Sequence, residues 1–203
     1  TIDLDIMVMI RPRGGDFVYS QAELEAMAHD IEVCQEIGVT GVVFGVLNLA
    51  GQVARTQVQY LLEEAAEMDV CFHRAFDVCA DPFQALEDLI DLGITRVLTS
   101  GQRGTVSEGR ELIRQLVERA AGRIEILPGC GITPENVAEV VAYTGVNQFH
   151  ATAFGRVESQ MRHRNPEVYM GLPGLPEYER EMTSEAEVQR FFRALRITGA
   201  GAP

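Results

Sequence analysis

Short apolar runs alternate with amphipathic stretches along most of this chain. The runs are rich in β-branched and aromatic residues and show little polar alternation until they end, which is typical of strands buried on both faces of a parallel sheet. We predict strands over residues 5–10, 41–47, 69–76, 95–100, 123–129 and 146–152. Apolar residues recur at helical spacing between them, which predicts helices over residues 20–38, 54–68, 81–93, 106–122 and 133–145.

Residues with strong preferences for helix ends support these boundaries. Ser20 and Glu23 have the spacing of a capping box, in which each side chain binds the other's backbone N–H. Asp81-Pro82 and Thr133-Pro134 each place a capping side chain before a proline at the first helical position. Glycines follow four of the predicted helices, where a left-handed residue commonly ends a helix: Gly38, Gly93, Gly122 and Gly145.

The alternation of strands and helices predicts an α/β fold, a parallel (β/α) barrel of the TIM type. A barrel of eight units needs roughly 31 residues per unit, and this chain of 203 residues holds about six of the eight. Either two N-terminal units lie outside the sequence or the sheet is open, with a partner covering its edges. We predict one domain over residues 1–203, with an irregular loop segment at 154–183 before the last helix.

The composition excludes several classes of function. A net charge of −13 argues against binding to nucleic acid or to an anionic membrane surface. We find no apolar run of the roughly 18 residues that a membrane helix needs and no secretory signal, and the scattered cysteines predict reduced thiols in the cytoplasm. All 17 basic residues are arginines, so Schiff-base chemistry and pyridoxal phosphate are excluded. A nicotinamide-binding fingerprint is also absent from the sequence.

Polar residues collect at the ends of the predicted strands, where TIM barrels carry their functional groups. Strand periodicity places Arg11 and Arg13 on one face, and His73 and Asp77 on one face of another strand. We therefore predict a pocket at the carboxyl ends of the strands. Its polar borders lie in the segments MIRPRGGDF, FHRAFD, LTSGQRG, LPGCGIT and FHATA.

Part of this set suits an anion. Arg11 and Arg13 could clamp a carboxylate or phosphate with two guanidinium groups, or they could form salt bridges at the rim with Asp16 or Asp77. The turn at residues 129–131 offers backbone N–H groups of the kind that bind phosphate after late barrel strands. The predicted contributors here are Gly129 and Gly131, together with Ser100 and Gly101 after the fourth strand.

His73 and His150 are the histidines at strand ends and the candidates for proton transfer. Asp77, on the predicted face of His73, would orient that imidazole as a general base. The alternative is a packed, hydrogen-bonded core histidine. Ser100 lacks a G-x-S-x-G elbow, so we do not predict a nucleophile there.

A metal site is the other hypothesis for these residues. Cys71 lies two positions before His73, while Cys130 and His150 follow later strands. Sulfur with imidazole suits Cu(I) or zinc. Closely spaced ligand motifs such as C-x-x-C are absent, however, and a buried thiol usually serves as a small hydrophobic group. Cys71 and Cys130 are therefore candidates for a metal that the spacing alone does not decide.

The segments VMIRPRGGDFVYS, VFGVL, FHRAFD, RVLTSG and FHATA resemble the CutC family, in order and at family spacing, over essentially the whole chain. The resemblance implies a TIM-type barrel, a cytoplasmic location, self-association into a homo-oligomer and a role in copper homeostasis, with no established reaction. It also adds Arg74 to the predicted anion-binding residues. The family's strand-end set corresponds here to Arg11, Arg13, His73, Arg74, Asp77, Ser100, Gly101 and His150.

The chain departs from the family pattern in two places. The family begins with two further strand–helix units, and the strand of each unit carries a glutamate and a cysteine. Thr1 of this chain aligns just before the family's third strand. Cys130 stands where the family pattern predicts only glycines. The expected function is copper homeostasis with Cu(I) as the ligand. The alternative is an enzyme of unknown reaction that acts on a small phosphorylated or carboxylate metabolite.

Overall fold

The computed structural model describes residues 4–171 and 176–197. Its strands are β1 (Met7–Met9), β2 (Gly41–Phe44), β3 (Asp69–Phe72), β4 (Arg96–Thr99), β5 (Glu125–Pro128), β6 (Phe154–Glu158) and β7 (Glu179–Thr183). Its helices are α1 (Gln21–Ile37), α2 (Arg55–Ala65), α3 (Pro82–Asp91), α4 (Val106–Ala120), α5 (Val137–Thr144) and α6 (Glu185–Ile197), with a 3₁₀ helix at Arg74–Val78. None of the helices in this part of the chain combines the length and the hydrophobicity that crossing a bilayer requires.

The main sheet is parallel, as the sequence predicts. In the described residues its strands lie in the order β1-β2-β3-β4-β5, each beside its neighbour in sequence, with helices between them. Val42 and Phe44 lie on one face of β2, and Phe72 of β3 pairs with Phe44 on the same face. All three side chains are fully buried. Met9, which has the opposite orientation on β1, is 53% exposed. The α/β fold of barrel type is therefore confirmed for these units.

Helix ends follow the predicted signals closely. Ser20 and Glu23 form the capping box of α1, and Asp81 caps α3 with Pro82 in the first turn. The predicted terminal glycines all have positive φ, between 75° and 79°. The fifth helix is shorter than predicted because a turn occupies residues 134–136, where the Thr133 N–H donates to the Asn136 side chain at 2.8 Å.

Two predictions in the C-terminal third are wrong. The expected strand at 146–152 is a single parallel bridge between Gly129 and His150, in which the His150 N–H donates to the Pro128 carbonyl at 2.8 Å. The segment 154–183, predicted to be irregular, contains the antiparallel pair β6–β7. Most side chains of this pair are exposed, so the alternation that identifies a half-buried strand is missing from its sequence.

Contacts within the chain form two compact units, whereas the sequence predicts one domain. The first contains the residues up to Gly131 together with Val140–His150, and the second contains Ile132–Glu139 with the residues from Ala151 onward. The parallel sheet and the candidate site residues belong to the first unit. The β6–β7 pair and α6 belong to the second.

Candidate functional site

The loop after β1 stacks two arginines on two aromatic rings. The Arg11 guanidinium carbon lies 4.8 Å from the centre of the Phe17 ring, and that of Arg13 lies 5.0 Å from the Tyr19 ring. The Phe17 carbonyl accepts a hydrogen bond from the Leu47 N–H at 2.9 Å, which holds the loop against the chain that follows β2. Phe17 and Tyr19 are not among the site residues predicted from the sequence. The matched spacing of R-x-R and F-x-Y is the signal that could have revealed them.

Arg13 is balanced by carboxylates of its own loop and helix. Its Nε donates to Glu23 at 2.5 Å and its Nη2 to Asp16 at 3.1 Å. The hydrogen bond to Glu23, followed by that to Asp16, raises the pKa of Arg13. The salt-bridge alternative therefore describes Arg13, which does not act as the free half of an arginine clamp.

Arg11 has a different environment. Its side chain is exposed and its Nη2 donates to the Gly15 carbonyl at 2.9 Å. Within residues 4–171 and 176–197, no carboxylate forms an ion pair with it. A full positive charge thus stands at the carboxyl end of the sheet.

His73 lies directly beneath this loop, 4% exposed, with its ring centre 4.9 Å from that of Phe17. Its Nδ1 accepts a hydrogen bond from the Ala75 N–H at 3.2 Å, which assigns the proton of the neutral ring to Nε2. Burial lowers the pKa of His73 to about 4. The imidazole is therefore a neutral donor near pH 7. The packed-core alternative explains its burial but leaves Nε2 without a hydrogen bond partner among the described residues.

Asp77 does not orient His73 as predicted. Strand β3 ends at Phe72 and the chain enters a 3₁₀ helix, so the strand periodicity that placed the two residues on one face no longer applies. The Asp77 side chain, only 6% exposed, accepts from Arg74 Nε at 2.6 Å and from Thr99 Oγ1 at 2.5 Å. The Ser100 hydroxyl and the backbone N–H groups of Ser100 and Gln102 also donate to it.

This carboxylate occupies the place that the sequence analysis gave to a bound anion after β4. The Ser100 N–H donates to the Asp77 carboxylate, and the Gly101 N–H donates to Thr99 Oγ1 at 2.9 Å. Arg74 donates from Nη2 to Ser100 Oγ at 2.9 Å, and its side chain is 42% exposed. Asp77 thus positions Arg74 and the loop at 99–102.

Some backbone groups of the glycine turn after β5 also have hydrogen-bond partners within the protein. The Gly129 N–H donates to the Thr99 carbonyl at 2.9 Å, and the Cys130 carbonyl accepts from the Val106 N–H at 3.0 Å. Cys130 has a φ of +85°, a conformation that favours glycine, and its thiol donates to the Gly104 carbonyl at 3.2 Å. Gly131 also has positive φ, and His150 is exposed beside Gly129.

The two candidate metal-binding thiols differ in environment. Cys71 is 2% exposed, and burial raises its pKa to about 12, so it is a neutral thiol near pH 7. Cys130 is partly exposed, and its thiol donates to the Gly104 carbonyl. In the part of the chain that the structure describes, no group of three or more histidine, cysteine, aspartate or glutamate side chains is placed to hold a metal ion.

A parallel sheet with charged and aromatic side chains at the carboxyl ends of its strands defines a (β/α)-barrel protein with a candidate ligand site on that face. The CutC family model matches residues 1–155, and the chain belongs to the CutC family. A CutC family protein from Chromobacterium violaceum is 45% identical over 194 residues, which are 96% of this chain and 78% of the relative. One from Parabacteroides distasonis is 47% identical over 192 residues, 94% and 79% of the two chains.

Solved structures agree with this assignment. A structure described as the putative copper homeostasis protein CutC from Streptococcus agalactiae has a TM-score of 0.70 and 37% identity, and the match covers 72% of each chain. A structure named QR15, an aldolase, has a TM-score of 0.56 at 15% identity, covering 73% of this chain and 68% of the other. The second likeness concerns the fold alone.

Proposed function

We propose that this protein acts in copper homeostasis. Membership of the CutC family carries the proposal, supported by the 37% identical relative from Streptococcus agalactiae that is described as a putative copper homeostasis protein. The proposal includes a cytoplasmic location, where cysteines stay reduced, and self-association. Copper is the cargo in this proposal rather than a structural cofactor.

Within the described residues, Cys130 is the thiol best suited to Cu(I). Copper(I) binds the thiolate form of cysteine, and the buried Cys71, with a pKa of about 12, is protonated at neutral pH. Cys130 is partly exposed, so a metal ion in solution can reach its sulfur. Because no group of three or more ligands surrounds either thiol in the described residues, we expect weak Cu(I) binding by this part of the protein.

Titration of the reduced protein with Cu(I) against a competing chelator tests whether Cys130 is the Cu(I) ligand among the described residues. We expect the chelator to take most of the metal, the remaining binding to fall in Cys130→Ser, and Cys71→Ser to behave as wild type. Tight stoichiometric binding that is lost in Cys71→Ser would show that the buried thiol is a ligand after all.

We also propose a second function, in which the carboxyl face of the sheet belongs to an enzyme that acts on a small anionic metabolite. The observation in favour is the unbalanced charge of Arg11 beside His73, in a protein whose net charge is −13. A local positive centre in an acidic protein attracts small anions to that point. Arg74, held by Asp77 with part of its side chain exposed, is another cation of this face.

Calorimetric titration with inorganic phosphate and with acetate tests the second proposal. One charge-assisted hydrogen bond contributes about 1.5 kcal/mol or more, so Arg11→Ala should weaken binding about tenfold. Arg74→Ala should weaken it less, since Asp77 already balances that charge. Arg193→Ala, an exposed arginine of α6, is the matched control and should bind as wild type does. Absence of binding to the wild-type protein would refute the proposal.

A further inference from the structure

Two buried hydrogen-bond donors near Arg11 have no partner within the described residues. They are the Tyr19 hydroxyl and the Nε2 of His73, in residues that are 9% and 4% exposed. Buried polar groups in folded proteins are normally hydrogen-bonded, so each such exception calls for an explanation. A ligand that accepts hydrogen bonds from both is one explanation.

The two donors belong to one cluster. Arg11 stacks on Phe17 with 4.8 Å between the guanidinium carbon and the ring centre, and Phe17 lies 4.9 Å from the His73 ring. Burial raises the pKa of the Tyr19 hydroxyl, and the charge of the nearby Arg11 partly opposes this effect. No hydrogen bond of normal geometry joins Tyr19 and Arg11, however. The Phe17 ring thus contacts both the Arg11 guanidinium and the His73 ring, and the Arg11 charge acts on the Tyr19 hydroxyl.

We propose that Arg11, the Tyr19 hydroxyl and His73 Nε2 form a binding site for a small carboxylate. The inference rests on the small-anion function proposed above and names the ligand's chemical class. Phe17 is half-buried and Arg11 exposed. The exposed guanidinium is thus the part of the site that is open to solvent.

The charge and shape of the cluster favour a carboxylate over phosphate. Arg13 is already balanced by Glu23 and Asp16, and the imidazole is neutral, so one positive charge is available. A carboxylate carries one negative charge and only accepts hydrogen bonds, which matches one cation with two neutral donors. A phosphate dianion would bring a second negative charge and more acceptor oxygens than this donor set serves.

NMR of the protein labelled with ¹⁵N in histidine, titrated with acetate and separately with inorganic phosphate, tests the inference. We expect saturable shifts of the His73 ring nitrogens with acetate, and little change at the exposed His29 of α1. Tyr19→Phe and Arg11→Gln should each weaken acetate binding about fivefold to tenfold. Tyr60→Phe, on α2, is the matched control for the tyrosine and should have no effect.

The outcomes separate this inference from the function on which it rests. Phosphate binding that depends on Arg11 or Arg74, with no acetate shift at His73, would overturn the carboxylate site and leave the small-anion function standing. Binding of neither anion would overturn both. If Tyr19→Phe fails to fold, the surface variant Arg11→Gln decides, and acetate binding that it leaves unchanged contradicts the inference.

Discussion

At the scale of single residues, the segment FHRAFD holds two ionisable groups with opposite surroundings. His73 is buried with one ring nitrogen unpartnered in the described residues, whereas Asp77 is surrounded by donors from Arg74 and the loop after β4. The 3₁₀ turn between them creates this difference because it directs the carboxylate away from the imidazole. One residue is thereby a candidate for ligand binding and the other a structural anchor.

Replacing Asp77 with asparagine should destabilise the protein by about 2 to 3 kcal/mol. The buried site loses charge-assisted hydrogen bonds, and the NH₂ group of asparagine faces other hydrogen-bond donors instead of acceptors. The free energy of unfolding in urea measures this effect. Asp91→Asn is the control, because Asp91 is 65% exposed and lies 3.6 Å from Arg55 in a surface pair. Equal stability of the two variants would show that Asp77 does not anchor the loop.

The stability of the protein should depend on pH through His73. Burial lowers the pKa of His73 in the folded state to about 4, below the ordinary value of 6.5, so the unfolded chain takes up the proton first. Above pH 6.5, His73 does not reduce the free energy of unfolding. This free energy falls by about 3 kcal/mol as the pH drops to about 4, and protonation of His73 lowers it no further below that pH.

Urea unfolding from pH 7 to pH 4 measures this dependence. The fall should be smaller in His73→Gln, which has no ring to protonate, and should persist in His29→Gln, whose histidine is exposed. A wild-type curve that coincides with that of His73→Gln across this range would contradict the burial of a neutral imidazole.

The sequence predicts polar side chains at particular strand ends but not how these side chains pair with one another. Arg13 has carboxylates on both sides in the chain, and only the turn of the loop decides that Glu23 and Asp16 are its partners. Tyr19 was missed because an aromatic residue before a helix cap ordinarily indicates packing. Its unpartnered hydroxyl is visible only in three dimensions.

At the scale of elements, the strands and helices of the first unit could be predicted well because their apolar faces are buried against each other. Val42, Val70 and Val97 are buried in neighbouring strands, and each lies in a short apolar run from which a buried strand is predicted. The β6–β7 pair escaped prediction because backbone hydrogen bonds, rather than burial of alternate side chains, join it. The strand expected around His150 was predicted from apolar residues that form only one bridge.

A close backbone contact joins the end of β4 to α4. A Cβ atom on Gly101 would lie 2.2 Å from the Gly109 carbonyl oxygen, and Gly101 has a φ of +71°. Gly101→Ala should therefore destabilise the protein by about 3 kcal/mol or more through backbone strain and overlap. Gly14→Ala is the control, because its Cβ would have nothing within 4 Å, and it should change stability by less than about 0.5 kcal/mol. Thermal unfolding of both variants checks this, and equal melting temperatures would contradict the contact.

At the scale of the whole molecule, charge and topology act together. The chain carries a net charge of −13, yet Arg11, at the face where parallel barrels bind their ligands, has no ion pair in the described residues. Family membership supports a role in copper homeostasis, and the small-anion proposal rests on Arg11 and the unpartnered donors of Tyr19 and His73. The two proposals make separate predictions, because the copper proposal depends on cysteine thiols and the small-anion proposal depends on Arg11.

A crystal structure with and without acetate tests the central claim most directly, namely that the carboxyl face of the sheet holds a small anion around Arg11 and His73. We predict difference density for one carboxylate within hydrogen-bonding distance of the Arg11 guanidinium and of His73 Nε2. A difference map without a carboxylate at these residues, in crystals whose lattice leaves the loop free, would contradict it.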